Sequence, residues 1–211
     1  MNVNDFKNKV PYEEKHALED IFQHQHELAE KYLTIEKQNG LLQSDQIPGN
    51  VHDRHVQARL KDMTWRSMEE VAEAIEAYDM GDKEHFYEEL ADAFHFLVEK
   101  MLIAGFNPTG RTLKYYFDLQ RETIAYTDDA WIKDAVTDYL VAAGLACNTL
   151  KNKPWKTTHM LTDINKFQKL TEKEFLSFIS LCITAGFTPE SLFDMYMRKN
   201  QVNQFRQRSG Y

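Results

Sequence analysis

The chain has 211 residues, 43% of them hydrophobic and 12% aromatic, enough apolar side chain to bury a sizeable core. Its net charge of −8 argues against general binding of DNA or RNA, which requires a basic stripe, so no nucleic-acid polymer is expected as a partner. Five prolines and eight glycines leave little room for long loops.

In chain order, the opening residues carry no apolar segment of the signal-peptide kind. "EKHALEDIFQHQHELAEKYLTIEK" follows with Leu18, Ile21, Phe22, Leu28 and Leu33 in a helical rhythm. "QNGLLQSDQIPGN" breaks that rhythm and predicts a loop near residues 38 to 53. "MEEVAEAIEAYDM" is helical, with Val71, Ala74 and Ile75 on one face. "GD" at 81–82 interrupts it, and "KEHFYEELADAFHFLVEKMLIAG" resumes it, with Gly105 as a C-terminal cap. "DDAWIKDAVTDYLVAAGLACNTL" and "TEKEFLSFISLCITAG" predict two more helices. No run alternates in the manner of a strand. The expected fold is all-α, a compact helical bundle forming one domain over residues 1–211.

The longest nearly apolar stretch, Phe175 to Phe187, is too short to span a bilayer, so no membrane partner is expected. Cys147 and Cys182 each lie in an apolar run and read as reduced core residues of a cytoplasmic protein. An internal echo joins "AGFNPTGRTLKYYF" at Ala104 to "AGFTPESLFDMYM" at Ala185. Gly would cap one helix, Phe pack back on it, and Pro begin the next. A reused corner and an ancient duplication both explain the match.

Two short acidic patterns carry the chemistry. Glu70 and Glu73 form E-x-x-E, and Glu89 and Asp92 form E-x-x-D. Residues three apart share a helix face, so each pair projects two carboxylates the same way. Two such helices packed antiparallel across "MGDK" would gather four carboxylates. That is costly without a cation, and hard oxygen ligands with a polyphosphate nearby suit Mg²⁺. The alternative is two solvated faces of an acidic protein. It weakens at Glu89 and Asp92, which sit among Leu90, Ala93, Phe94 and Phe96. Glu69, Glu76, Glu84 and Glu88 read as surface charge.

The chain ends on "RKNQVNQFRQRSGY". Over two helical turns Lys199, Asn203 and Arg206 share a face. These residues form either an anion clamp or a cationic helix end that complements its dipole. Trp65 suits a base stack or a core position equally. His95 reads as a core histidine or a partner of a carboxylate. His24, His26, His52 and His55 complete no tetrahedral zinc site. A P-loop, a GxGxxG run and nucleophile motifs are absent.

E-x-x-E, a short gap and E-x-x-D on paired helices resemble the all-α, MazG-like nucleoside triphosphate pyrophosphatases. "TWRSMEEVAEAIEA", "EELADAFHFLVE" and the tail together look like the dimeric dUTPases and the related phage dCTP/dUTP pyrophosphatases. The tail pattern K-N-x-x-N-x-x-R-Q-x-x-G-Y matches at Lys199, Asn200, Asn203, Arg206, Gln207, Gly210 and Tyr211. Asp92, His95 and Phe96 match a further D-x-x-H-F. In the first helix a motif approximating Q-x-x-L-N reads Gln25 to Ala29, a departure at its last position. A Lys- and Trp-rich stretch of some members is replaced by "YDMGDKEHFY".

The resemblance implies Mg²⁺-dependent hydrolysis of dUTP, with dUDP as a further substrate, by a homodimer. It implies a metal held by Glu70, Glu73, Glu89 and Asp92, with Glu70 or Glu73 as the catalytic base. It implies a nucleotide contacted by Gln25, Lys199, Asn200, Asn203, Arg206 and Tyr211. Preference for dCTP or another deoxynucleotide, and a non-catalytic binding role, are the alternatives.

Overall fold

The computed structural model describes every residue except 1, 2, 4, 5, 40–45, 107–109, 125–130, 154, 210 and 211. Among the described residues there are seven α-helices and no strand. They are α1 (Ala17–Gln38), α2 (Arg54–Met80), α3 (Lys83–Ile103), α4 (Leu113–Arg121), α5 (Ile132–Asn148), α6 (Ile164–Thr184) and α7 (Pro189–Arg208). The expected all-α bundle is therefore what the chain forms.

Helix α1 buries the predicted stripe Leu18, Ile21, Phe22, Leu28 and Leu33. Helix α2 starts where the Asp53 carboxylate accepts from the backbone N–H groups of His55 and Val56, satisfying donors the helix cannot satisfy itself. It ends at Gly81, whose φ of +76° is left-handed and free of strain only for glycine. Asp82 then caps α3 by accepting from the His85 N–H. This two-residue turn folds α3 back along α2, and these two helices pack together more extensively than any other pair.

Helix α3 runs through the core. Phe94 stacks on Phe178 of α6 at 5.4 Å and meets Tyr196 of α7 edge-on at 5.6 Å. Helix α5 lies against α6, while α1 and α7 pack on the remaining faces of α3. One ionic pair is fully buried in this core. Lys100 Nζ of α3 sits 2.7 and 2.6 Å from the two carboxylate oxygens of Glu174 on α6.

The two Ala-Gly-Phe corners have the same geometry. Phe106 N–H bonds to Met101 O and Phe187 N–H to Cys182 O; Gly105 N–H bonds to Leu102 O and Gly186 N–H to Ile183 O. Both are Schellman caps. Beyond them the copies diverge. Pro189 opens α7, whereas α4 waits until Leu113, after a Thr112 cap, and Pro108 lies outside the described residues. Both cysteines are free, with Cys182 buried and Cys147 half-buried. No single helix among the described residues is long and apolar enough to cross a membrane.

Candidate active site

The turn at Gly81 and Asp82 brings the two acidic pairs face to face. Carboxylate oxygens of Glu70 and Glu73 on α2 and Glu89 on α3 lie within 4.8 Å of one another. Glu89 is buried, Glu70 half-buried and Glu73 exposed, so the cluster runs from the helix interface out to solvent. Burial pushes the Glu70 carboxyl up to about 8, reinforced by a hydrogen bond to Glu89 and by the charges of Asp92, Glu89 and Glu73. Glu70 thus holds a proton where a cation is absent, because the ionised cluster repels itself. Three hard oxygen donors in that spacing, one reaching water, fit a divalent cation.

Asp92 is not a member of that close trio. Its Oδ2 lies 2.6 Å from Lys199 Nζ of α7, and Glu88 Oε2 lies 3.8 Å from the same ammonium. Lys199 is nearly buried, at 6% exposure. The last helix therefore delivers its cation to a carboxylate of the acidic face. Glu88, which reads as surface charge in sequence, belongs to this contact. His85, one turn before Glu89, places Nδ1 3.1 Å from Glu89 Oε1. Sequence gives no sign of these roles beyond the i, i+4 spacing of His85 and Glu89.

A cleft of about 820 Å³ opens beside the cluster, and Glu70, Glu73, Asp92, Gln25, Asn203 and Arg206 all line it. Tyr32, Glu36, Asp62, Arg66, Glu69, His95 and Glu99 add to its polar walls. Asn203 and Arg206 share this cleft because they stand three residues apart on α7. Asn200 does not join them. Its amide nitrogen donates to His24 O at 3.4 Å and its oxygen accepts from Gln204 at 2.9 Å. Asn200 is thus committed to the α1–α7 contact. Tyr211 lies outside the described residues.

Trp65 is 61% exposed and donates its indole N–H to Glu69 Oε1 at 2.7 Å, so the core position considered for it is not the one it takes. His95 is buried, with its ring stacked 3.9 Å from that of Tyr196. Its Nδ1 lies 2.8 Å from Ala91 O, which can only accept, so Nδ1 carries the proton. Burial lowers the ring to about 4, and Nε2 has no hydrogen-bond partner.

Gln25 lies at the centre of a buried network. Its Nε2 donates to Glu99 Oε2 at 3.1 Å, its Oε1 accepts from the Tyr196 hydroxyl at 2.7 Å, and Arg59 donates to Glu99 Oε1 at 2.9 Å. Burial raises the Glu99 carboxyl and the Arg59 guanidinium opposes that rise. Ala29, where the resembling first-helix motif carries a polar residue, is fully buried and adds no polar group.

The family model described as dUTPase matches residues 17–211, from the first residue of α1 to the C-terminus. The chain belongs to the dUTPase family. No curated protein and no solved structure matches it. The match takes in both acidic pairs, Gln25 and the whole of α7, so every side chain lining the cleft lies inside the dUTPase-family region. Family membership brings dUTP-hydrolysing chemistry of the diphosphatase type, a nucleotide substrate and, in general, a divalent metal.

Proposed function

We propose that this dUTPase-family chain hydrolyses dUTP to dUMP and pyrophosphate, and dUDP to dUMP and phosphate, using Mg²⁺. The observation that carries the reading is the trio Glu70, Glu73 and Glu89, whose oxygens converge within 4.8 Å at the edge of the cleft that Arg206 and Asn203 also line. Glu70, Glu73, Glu89 and Asp92 would hold the metal. Bound there, Mg²⁺ supplies charge neutralisation for the phosphates and a lowered pKa for water.

The chain's own groups divide the remaining work. Arg206 offers a planar fork and Asn203 an amide to the polyphosphate. Lys199 holds the Asp92 carboxylate by its 2.6 Å contact and so fixes the direction of that ligand. Glu70 or Glu73 accepts the proton of the attacking water on a carboxylate oxygen; Glu73, the exposed one, is closer to solvent, and Glu70 has the more perturbed carboxyl. Likeness to the dimeric members supports a homodimer, and two free cysteines suit a reducing, cytoplasmic setting. The test is a panel of deoxynucleoside tri- and diphosphates with Mg²⁺, assayed for phosphate, pyrophosphate and monophosphate. Turnover of dUTP and dUDP ahead of the purine nucleotides is expected; no hydrolysis of any of them would refute the reading.

A further inference from the structure

The residues before α1 are tied down, where chain ends usually fray. Val3 is buried, Phe6 meets Phe205 of α7 edge-on at 6.2 Å, and Tyr12 meets Phe193 of α7 at 5.6 Å. Between these two ring contacts the Asn8 side-chain oxygen accepts from the Val10 N–H at 2.8 Å and closes a tight turn. The turn carries Lys7 and Lys9, both exposed, to the rim of a pocket of about 500 Å³ on the flank of α7.

The charge of this pocket has one sign. Lys7, Lys9, His24 and Arg208 line it, and no Asp or Glu is among the described residues that do. In a chain with 33 acidic and 25 basic residues, composition alone does not supply such a segregation. His24 has an acidic neighbour, with Glu27 Oε2 3.8 Å from its Nδ1. Lys7, Lys9 and Arg208 have no carboxylate partner among the described residues. Arg208 instead donates to the Gln204 amide oxygen at 3.4 Å. An anion would be the better acceptor, since charge-assisted hydrogen bonds to an ionised partner are the stronger class.

The pocket is distinct from the acidic cleft. Asn200, Gln204 and Arg208 recur every four residues and share this flank of α7, whereas Asn203 and Arg206 line the cleft. The helix dipole favours cations only around the last turn, yet the pocket reaches back along α7 to Met197.

We propose that this pocket binds a phosphate-bearing anion, its oxygens held by Lys7, Lys9 and Arg208. A bare polyphosphate would use the cations alone. A nucleotide would add a ring against Phe205, which is 44% exposed, and an amide contact from Gln201. The inference is independent of the hydrolytic reading. Lys7 and Lys9 also precede residue 17, where the family match begins.

The test is titration calorimetry on the full chain, stripped of metal and dialysed into metal-free buffer, with inorganic pyrophosphate and with dATP as probes. Without a cation the carboxylates of the acidic cleft repel both. Saturable binding is expected in the wild type and in Arg206→Ala. It should weaken at least about tenfold in Lys7→Gln/Lys9→Gln and in Arg208→Gln, each of which loses charge-assisted hydrogen bonds. These positions are exposed, so melting temperatures should not move, and the second variant answers the question if the first folds poorly. Phe205→Ala separates the sources. Weaker binding of dATP but not of pyrophosphate would identify a nucleotide; no change for either would identify a polyphosphate. Absence of saturable binding, undiminished affinity in Lys7→Gln/Lys9→Gln, or loss of binding in Arg206→Ala would overturn the inference and leave the hydrolytic reading standing.

Discussion

Lys199 and Asp92 are ion-paired across the α3–α7 contact, Nζ to Oδ2 at 2.6 Å. The pair joins the most specific stretch of the tail to the second acidic motif. Asp92→Asn removes the charge at nearly constant shape and leaves Lys199 with Glu88 at 3.8 Å. We expect turnover of dUTP to fall more than about a hundredfold, beyond the usual effect of losing an outer partner of a metal ligand. Helicity by circular dichroism should be unchanged. A well-folded Asp92→Asn protein with full turnover would exclude Asp92 from the site.

The glutamate cluster should make the metal-free protein sensitive to pH. Glu70 is raised from 4.5 to about 8, so across that window the folded state holds a proton that the unfolded chain has released. Stability must then decline as pH rises through the window. A divalent cation replaces the proton, so Mg²⁺ should remove much of the decline, and Glu70→Gln should flatten it in EDTA. Melting scans between about pH 5 and about pH 9, with EDTA or Mg²⁺, test this. Identical slopes in the wild type and Glu70→Gln would contradict it.

Arg206 should matter to ligand more than to fold. It lines the cleft, while its neighbour Phe205 is 44% exposed and meets Phe6 edge-on at 6.2 Å. Arg206→Ala, or removal of residues 204–211, should change the ligand-free melting temperature little. Either should forfeit most of the thermal shift given by a non-hydrolysable dUTP analogue with Mg²⁺, a stabilisation of about 2.7 kcal/mol at a hundred times Kd in the wild type. A full ligand shift in Arg206→Ala would make the tail a helix end and nothing more.

Lys100 and Glu174 predict the opposite behaviour. Both side chains are fully buried, so Lys100→Met strands a carboxylate in the core. We expect a loss of about 3–5 kcal/mol in urea unfolding, and recovery of most of it in Lys100→Met/Glu174→Leu. A single variant within about 1 kcal/mol of the wild type would mean that the pair contributes little.

What sequence could show follows from how local each contact is. The approach of Glu70, Glu73 and Glu89 was legible because i, i+3 spacing sets a helix face and a Gly-Asp turn sets antiparallel packing, whereas Asp92, the expected fourth carboxylate, lies against Lys199. The shared face of Asn203 and Arg206 was legible for the same reason. Asn200 matches the motif in sequence, but its bonds to His24 O and Gln204 appear only once α1 and α7 are packed. Trp65 lacked any rhythm to decide between base stack and core. The Gln25 network gave no local signal at all, because its hydrogen bonds join residues 74 and 171 positions apart. Lys100 and Glu174 look like ordinary surface charges until α3 and α6 are packed together. The Lys199–Asp92 contact likewise exists only once α7 crosses α3.

We propose metal-dependent hydrolysis of dUTP at the cluster of Glu70, Glu73 and Glu89. Its most direct test is product formation from dUTP by the wild type and by Glu73→Gln, with Mg²⁺ and with EDTA. Glu73 is exposed, so its loss should leave the fold intact. The expected result is dUMP and pyrophosphate from the wild type only when Mg²⁺ is present, and a fall of about a hundredfold or more in Glu73→Gln at an unchanged melting temperature. Undiminished dUMP formation by Glu73→Gln, or by the wild type in EDTA, would contradict it.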